Sequence, residues 1–261
     1  MSGAITMIKV GCAAYSYNAY LEKKEMKLED FIEECHRLSL DGVELTGYYF
    51  ESMDAGYVDK LKRLAARRGL AISGAGMGSN FCQADKAKRE KEVQEVKKWI
   101  DVTQRLGAPC LRVFAGQPPS GYTEEHATEW TIGALRACCE YAAQRGTIVA
   151  LENHGGITSR AANVVKIAKA VNSEWFGINL DLGNYHGDIY GEMDMTAPYA
   201  VHSHAKMFED QAALKRLDYA RVRRILDSHG YNGFVSLEYE GPDDSKVAVP
   251  KETKLLLEAF R

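Results

Sequence analysis

Linkers are what this chain most conspicuously lacks. Its six prolines are scattered through 261 residues, glycine marks turns and not tracts, and no charge run or low-complexity stretch separates one half from the other. Length alone would permit two short domains, but without a composition break a single domain over residues 1–261 is the economical reading. No segment approaches the roughly 20 apolar residues of a membrane span, and the opening MSGAITMIKVG has no charged region followed by a long apolar core. A soluble, cytoplasmic protein with no membrane partner is therefore expected. Strong charge is missing as well: a formal net charge of −3 offers no general attraction to a polyphosphate backbone. This disfavours nucleic acid as a partner and leaves a small polar molecule as the better fit. The six cysteines include no CxxC pair, and Cys12, Cys35, Cys110 and Cys138 fall within apolar segments. They read as reduced core residues, with the adjacent Cys138 and Cys139 serving helix packing.

What is present is apolar content of 46%, enough for a large core, arranged in a repeating pattern. Eight short apolar or β-branched runs recur: IKVGCAAY, GVELT, LAISGAGM, PCLRVFAG, TIVALEN, FGINLDLG, AVHSHAKM and FVSLEYEG. Between most of them lie segments with helical spacing, such as Leu28, Phe31, Ile32, Cys35 and Leu38, or Val58, Leu61, Leu64 and Ala65. Helix ends carry a basic or amide residue and then Gly, as in RRGLAIS and QRLGAPCLRV. Gly accepts the left-handed conformation there, and the cations face the negative end of the helix dipole. Thr123 with Glu125, and Ser159 before its apolar series, mark helix starts. Eight strand–helix repeats in one domain predict a closed parallel (βα)8 TIM barrel of the α/β class, because helical crossovers require parallel strands and closure removes the edges. A doubly wound open sheet is the alternative. It calls for a Gly-rich phosphate turn, and Gly74, Gly76 and Gly78 lack the dinucleotide-binding spacing.

Alternation along the runs assigns side chains to faces. Ala150 and Glu152, Asn179 and Asp181, His202, His204 and Lys206, and Ser236, Glu238 and Glu240 each share a face, while Val149, Leu151, Ile178, Leu180, Val201, Val235 and Leu237 occupy the opposite one. If the apolar set meets the helices, the polar set points into the barrel, near the C-terminal strand ends where barrel enzymes carry their chemistry. Glu152, Asp181, His204 and Glu238 then form one group. Taken singly, each has a bland explanation as a strand-end acid, a cap or a hydrogen-bonded histidine, and for His202, Glu240, Glu44 and His186 the bland explanation is preferred. For the four together it fails, because inward carboxylates on adjacent strands repel one another without a cation. Three carboxylates and one imidazole suit one divalent ion, Mn²⁺ or Mg²⁺ first, with Co²⁺ or Zn²⁺ as alternatives. Such an ion can chelate a hydroxy-ketone and stabilise the enediolate formed when the neighbouring carbon loses its proton.

These residues resemble the xylose-isomerase-like sugar phosphate isomerase/epimerase barrels, a group that includes ketose 3-epimerases, hydroxypyruvate isomerase and inosose dehydratase. The resemblance runs from GCAAYSY and LDGVELT to SLEYEG, and LENHGG, NLDLGN, HSHAK and LEYEG look like the family's metal-bearing strand ends. It implies that Glu152, Asp181, His204 and Glu238 are metal ligands and that Glu152 and Glu238 exchange protons with a carbohydrate substrate from opposite faces. It also implies an isomerase or epimerase acting on a keto sugar. The ketose epimerases carry a second Glu, a His and an Arg where this chain has Thr158, Asn184 and Asp210. In their place stand His154 and Lys206, both in phase to face the pocket, and the HxK pairing looks more like the cyclitol dehydratase branch. A dehydratase or lyase acting on a keto-cyclitol or 3-keto-glycoside, with His154 and Lys206 as acid/base groups, is the second reading. The bland role for Lys206 is a salt bridge to Asp181 or Glu238.

In the first half of the chain Glu44 and Arg112 could bind sugar hydroxyls or pair inside the barrel. Tyr15, Asn80 and Phe81 follow early strands, and Asn184 and His186 follow the sixth run; Tyr15, Asn184 and His186 complete the candidate substrate-binding set. Tyr48, Tyr49 and Phe50 suit helix-facing packing or a homo-oligomer contact. Abasic-site endonuclease activity, found on the same barrel, needs a zinc cluster held by many histidines, and this chain has seven in all. A metal-stabilised barrel without catalysis is the remaining alternative. No Lys/Arg-rich loop or Gly-rich phosphate turn is clear, which favours a non-phosphorylated substrate.

Overall fold

The computed structural model describes residues 7–210 and 215–261, the side chains of Glu209 and Asp210 excepted. Asp210, one of the positions that depart from the ketose epimerases, therefore has its side chain outside the described residues. The strands are β1 (Lys9–Ala13), β2 (Gly42–Thr46), β3 (Ala71–Gly76), β4 (Cys110–Val113), β5 (Ile148–Glu152), β6 (Phe176–Asp181), β7 (Ala200–Ala205), β8 (Phe208–Asp210), β9 (Lys215–Arg216) and β10 (Phe234–Leu237). All but β8 and β9 pair in parallel and close in the order β1-β10-β7-β6-β5-β4-β3-β2, so the expected barrel is what the chain forms. β8 and β9 make a separate antiparallel pair after the seventh barrel strand, an addition the periodicity of that short polar stretch did not predict.

The helices are α1 (Asn18–Glu22), α2 (Leu28–Arg37), α3 (Ala55–Arg67), α4 (Lys86–Leu106), α5 (Glu124–Ala143), α6 (Ala161–Val171), α7 (Ile189–Thr196), α8 (Tyr219–Ser228) and α9 (Ser245–Phe260). Among the described residues no helix is long and apolar enough to cross a membrane. The residues read from 3.6-residue spacing bury as expected: Leu28, Phe31, Ile32 and Cys35 on α2, and Val58, Leu61 and Ala65 on α3. Glycine ends helices as the joins suggest, with Gly69 at φ 70° and Gly107 at φ 76°. Thr123 caps α5, its hydroxyl accepting the His126 N–H. Ser159 does not cap α6; Arg160 holds that position. The amide of Ala161 instead donates to the Glu192 carboxylate on α7, which also pairs with Arg160 at 2.6 Å. A carboxylate brought from another helix satisfies the orphan amide, so no local capping residue is required. All six cysteines are buried free thiols.

The outer face of the strands is apolar and fully buried against the helices, with Val149, Leu151, Ile178, Leu180, Val235 and Leu237 at 0% exposure. Inside, the barrel is polar in its upper part, and small residues make the room. A Cβ on Gly76 would lie 2.9 Å from Arg112 Nη2, and one on Gly74 3.3 Å from Cys110 Sγ. Gly74 and Gly76 thus serve close packing inside the barrel, not a phosphate turn. Two register shifts aim the interior. Between β2 and β3 the pairing passes from Val43↔Ile72 to Glu44↔Gly74, leaving Ser73 as the extra residue. Between β6 and β7 it passes from Ile178↔Ala200 to Asn179↔His202, leaving Val201. Val201 is consequently half-buried at the bulge, and His202 and His204 come opposite Asn179 and Asp181.

The floor of the barrel depends on glycine in the same way. A Cβ at Gly42 would sit 2.7 Å from Phe234 Cε1 and 2.9 Å from the Ala71 carbonyl oxygen, which belongs to the backbone and cannot swing aside. Gly42→Ala is expected to cost about 1–3 kcal/mol through overpacking. The measurement is the urea midpoint, and an unchanged value would refute this account of the floor.

Candidate metal centre

Glu152 ends β5, Asp181 ends β6, His204 is the penultimate residue of β7, and Glu238 follows β10 directly. Glu238 still continues the ladder, since its amide donates to the Ala205 carbonyl at 3.0 Å. All four side chains are buried, and one ligand atom from each lies within 4.8 Å of the others. His204 Nδ1 is the centre of the group: it lies 3.5 Å from Glu152 Oε2, 3.4 Å from Glu238 Oε2 and 3.9 Å from Asp181 Oδ2. Asp181 Oδ1 accepts the Gly183 N–H at 2.8 Å, whereas Oδ2 is buried with no hydrogen-bond partner. The expected set is thus assembled, with one carboxylate oxygen that accepts no hydrogen bond and has only the Lys206 ammonium 3.4 Å away as a counter-charge.

A second ring of buried groups fixes the first. Glu44 accepts from His204 Nε2 at 2.6 Å, and Arg112 Nε lies 3.2 Å from Glu152 Oε2 while Nη1 donates to the Met77 carbonyl. Glu44 and Arg112 thus both pair inside the barrel, Glu44 with His204 and Arg112 with Glu152. Glu44, His202 and His204 also form a compact triplet, but at 2.6 Å Glu44 and His204 share a proton and leave no room for an ion between them. Beneath, His202 Nδ1 contacts Asn179 Oδ1 at 2.8 Å, and Asn179 Nδ2 donates to Glu152 Oε2 at 3.0 Å. With Nδ1 donating, His202 Nε2 accepts from Ser236 Oγ at 3.2 Å. Burial pushes the His202 imidazole down to about 4, so it works here as a neutral relay of hydrogen bonds. Asn153, absent from the sequence-derived set, ties β5 to β6 by donating to the Asp181 carbonyl at 2.9 Å and accepting its amide at 2.8 Å. Its only sequence signal is an amide immediately after a strand-end acid.

At the mouth, His154 Nδ1 is 2.7 Å from Glu152 Oε1, and its ring stacks on Phe114 with centroids 4.1 Å apart. The His154 side chain remains 47% exposed. Asn184 Nδ2 lies 3.4 Å from both His154 Nδ1 and Glu152 Oε1. Lys206 Nζ contacts Glu238 Oε2 directly and lies 2.8 Å from Glu240 and 3.4 Å from Asp181 Oδ2. The salt bridges weighed for Lys206 are therefore real. A cavity of about 870 Å³ opens over this corner, lined among others by Asn184, His186, Lys206, Phe208, Glu238 and Glu240. Tyr15 sits apart, in a second cavity of about 580 Å³ that shares only Glu240 with the first. Thr158 is spent on its own loop, accepting the His154 N–H and donating to the Gly155 carbonyl. Phe50 packs edge-on against Trp99 and Tyr57, while Tyr48 is 52% exposed.

The electrostatics leave the group with uncompensated negative charge. Burial raises Asp181 to about 7 although Lys206 opposes it, because Glu152 and Glu238 add repulsion. Burial would raise Glu152 too, but Arg112 and the His154 hydrogen bond hold it below the ordinary range. His204 and Lys206 likewise overcome burial at Glu238 and hold it well below. Burial would lower His204, yet Glu44 and Glu238 keep it well above its ordinary value. Four buried carboxylates, Glu44, Glu152, Asp181 and Glu238, face two fixed buried cations, Arg112 and Lys206. The deficit of two charges can be filled by protons on Asp181 and His204 or by one divalent ion. The donor set of three oxygens and one nitrogen fits such an ion.

Comparison with known proteins agrees with the fold. The family model described as a xylose isomerase-like TIM barrel matches residues 32–260. No curated protein matches the chain in sequence. Among solved structures, the chain is similar to 3-keto-D-glucoside 4-epimerase from E. coli, with 14% identity, coverage of 96% of this chain and 99% of that one, and a TM-score of 0.78. D-psicose 3-epimerase from Clostridium cellulolyticum H10, solved with D-tagatose, is 18% identical over 97% of this chain and 98% of its own, with a TM-score of 0.78. The probable 3-DHS dehydratase from Bacillus anthracis involved in petrobactin synthesis is 17% identical, covering 96% and 99%, also with a TM-score of 0.78. At these identities the likeness is one of fold.

The raised Asp181 fixes the sign of a pH effect. Its folded value of about 7 lies above the ordinary 3.8, so its ionisation favours unfolding. Stability of the metal-free protein should fall as pH rises from about 4 to about 7, and the raised His204 acts in the same direction at higher pH. Asp181→Asn should raise the melting temperature of metal-free protein at pH 8 and raise it distinctly less at pH 5. Equal effects at both pH values would show that Asp181 carries no buried charge.

Proposed function

The chain belongs to the xylose isomerase-like TIM barrel family, and from that premise we propose that it is a divalent-metal-dependent enzyme that moves a proton at the carbon beside the carbonyl of a keto sugar or keto-cyclitol. Glu152, Asp181, His204 and Glu238 would hold the ion, for which Mn²⁺ is the first choice. When bound, the ion supplies a Lewis acid that polarises the substrate carbonyl and steadies the negative charge developing as the adjacent proton leaves. Everything else falls to the chain's own side chains.

Elimination is the reading the geometry favours, carried by one observation: both Glu152 oxygens are already occupied, Oε1 by His154 and Oε2 by Asn179 with Arg112 beside it, whereas His154 and Lys206 stand at the mouth. A carboxylate held below its ordinary range and saturated with donors is a weak base. His154 has its Nδ1 fixed by Glu152, which leaves Nε2 as the nitrogen available to take the proton from carbon. The hydrogen bond to Glu152 raises the His154 imidazole, strengthening it as a base. Lys206, charged and at the cavity wall, can deliver a proton to the departing oxygen. The C–H electron pair then forms the new double bond, the C–O bond breaks, and water or an alcohol is released. Thr158 and Asn184 support this reading, since neither provides the Glu or His with which ketose epimerases grip substrate. The dehydratase among the similar structures gives a precedent on the same fold.

Isomerisation or epimerisation is the second reading, with Glu152 and Glu238 exchanging protons with the substrate. It draws on their placement at 3.5 and 3.4 Å from His204 Nδ1, and on the epimerases among the similar structures. A non-phosphorylated carbohydrate remains the preferred substrate.

Proton NMR in heavy water, with Mn²⁺ and a panel of keto sugars, inososes and 3-keto-glucosides, separates the readings. Deuterium beside the carbonyl together with release of water or aglycone supports elimination; deuterium without loss of an oxygen substituent supports isomerisation. If no compound exchanges and a chelator changes neither turnover nor melting temperature, the metal-dependent reading is wrong. His154→Gln and Lys206→Met should each lower turnover by about 10²–10⁴-fold under elimination while keeping the fold, as read by circular dichroism. The ion itself should raise the melting temperature more at pH 8 than at pH 5, because protons compete for Asp181.

A further inference from the structure

The residue that most nearly completes the centre comes from the opposite half of the chain. Glu44 on β2 is 1% exposed, and 160 residues separate it from His204 in sequence. Its Oε2 lies 2.6 Å from His204 Nε2, while the other imidazole nitrogen, Nδ1, is the atom within 3.9 Å of Glu152, Asp181 and Glu238. A carboxylate only accepts, so the proton between Glu44 and His204 must reside on Nε2. A neutral imidazole protonated at Nε2 has its lone pair on Nδ1, which is where the three carboxylates converge. The position of Glu44 is itself built. The bulge at Ser73 sets Gly74 opposite Glu44. On the far side of the ring, Asn179 and His202 prevent rotation from below, with Asn179 Nδ2 3.2 Å from Nδ1.

We propose that Glu44 is a positioning residue: it locks the tautomer and ring orientation of His204 and thereby sets the affinity of the four-residue centre for a divalent ion. Burial keeps Glu44 from touching substrate, so its influence on any reaction runs through His204. Outer partners of this kind typically change metal affinity 10–100-fold when removed. Gln at this position can accept through its oxygen, but its amide can also turn and donate, favouring the tautomer with the proton on Nδ1. Glu44→Gln should therefore weaken binding by about tenfold and Glu44→Ala by up to about 100-fold. This inference rests on the reading of Glu152, Asp181, His204 and Glu238 as ligands.

The experiment measures Mn²⁺ affinity by calorimetry and the visible spectrum of the Co²⁺ form for the full chain, for Glu44→Gln and Glu44→Ala, and for Cys138→Ala as a buried change on α5, outside the barrel strands. Weaker Mn²⁺ binding and an altered Co²⁺ spectrum in both Glu44 variants, with Cys138→Ala behaving like the unmodified chain, is the expected result. Affinities within twofold of the unmodified chain would overturn the role of Glu44 while leaving the four ligands intact. An equal loss in Cys138→Ala would also overturn it, since general loosening of the interior would then account for the effect. An unmodified chain that binds neither ion would remove the four-ligand reading and this inference together.

Discussion

Repulsion among four carboxylates shut inside a barrel is the constraint on which the upper half of this structure is organised. Glu44, Glu152, Asp181 and Glu238 lie too deep for water to screen them, and Arg112 and Lys206 offset only half of their charge. Every neighbouring choice follows from that imbalance. His204 is held between carboxylates, Arg112 reaches across to Glu152, and Lys206 lies among Asp181, Glu238 and Glu240. The orphaned Asp181 Oδ2 marks where the compensation is incomplete. A buried network of this kind is costly when partly satisfied and rigid when complete, so the same groups that create the problem define a single geometry once it is filled.

That geometry is mounted on irregularities in an otherwise regular barrel. One extra residue at Val201 re-registers β7 against β6 and brings His202 and His204 level with Asn179 and Asp181. Another at Ser73 sets Gly74 opposite Glu44. An interior glycine, Gly76, leaves volume for the Arg112 guanidinium where a side chain would otherwise crowd it. The apolar outer faces and the helices packed on them supply the rigidity. The mouth, with His154 half exposed and Lys206 at the wall of the cavity, is where this network opens to solvent.

Much of this was legible in sequence because it is periodic. The two-residue repeat put Glu152, Asp181 and His204 on the inner face and the Val/Leu/Ile set on the outer one, and basic residues followed by Gly marked the ends of α3 and α4. Where the reading erred, the cause was distant chain. Ser159 has the local pattern of a cap, but Glu192 from the next helix makes the bond instead. Asn153 carried almost no signal, because its task of bridging two strands exists only once they are adjacent.

The sequence by itself determined the architecture and the composition of the centre: alternating strand and helix signals dictate parallel crossovers, and strand phase gathers inward acids beside a histidine. Only the tertiary structure decided how those ligands are held. Glu44 and His204 meet across 160 residues, Arg112 finds Glu152 across neighbouring strands, and the two bulges set the levels at which they meet. The reason is physical. Periodicity reports which face a side chain occupies, whereas a hydrogen bond of 2.6 Å depends on barrel closure, which no local stretch of chain encodes.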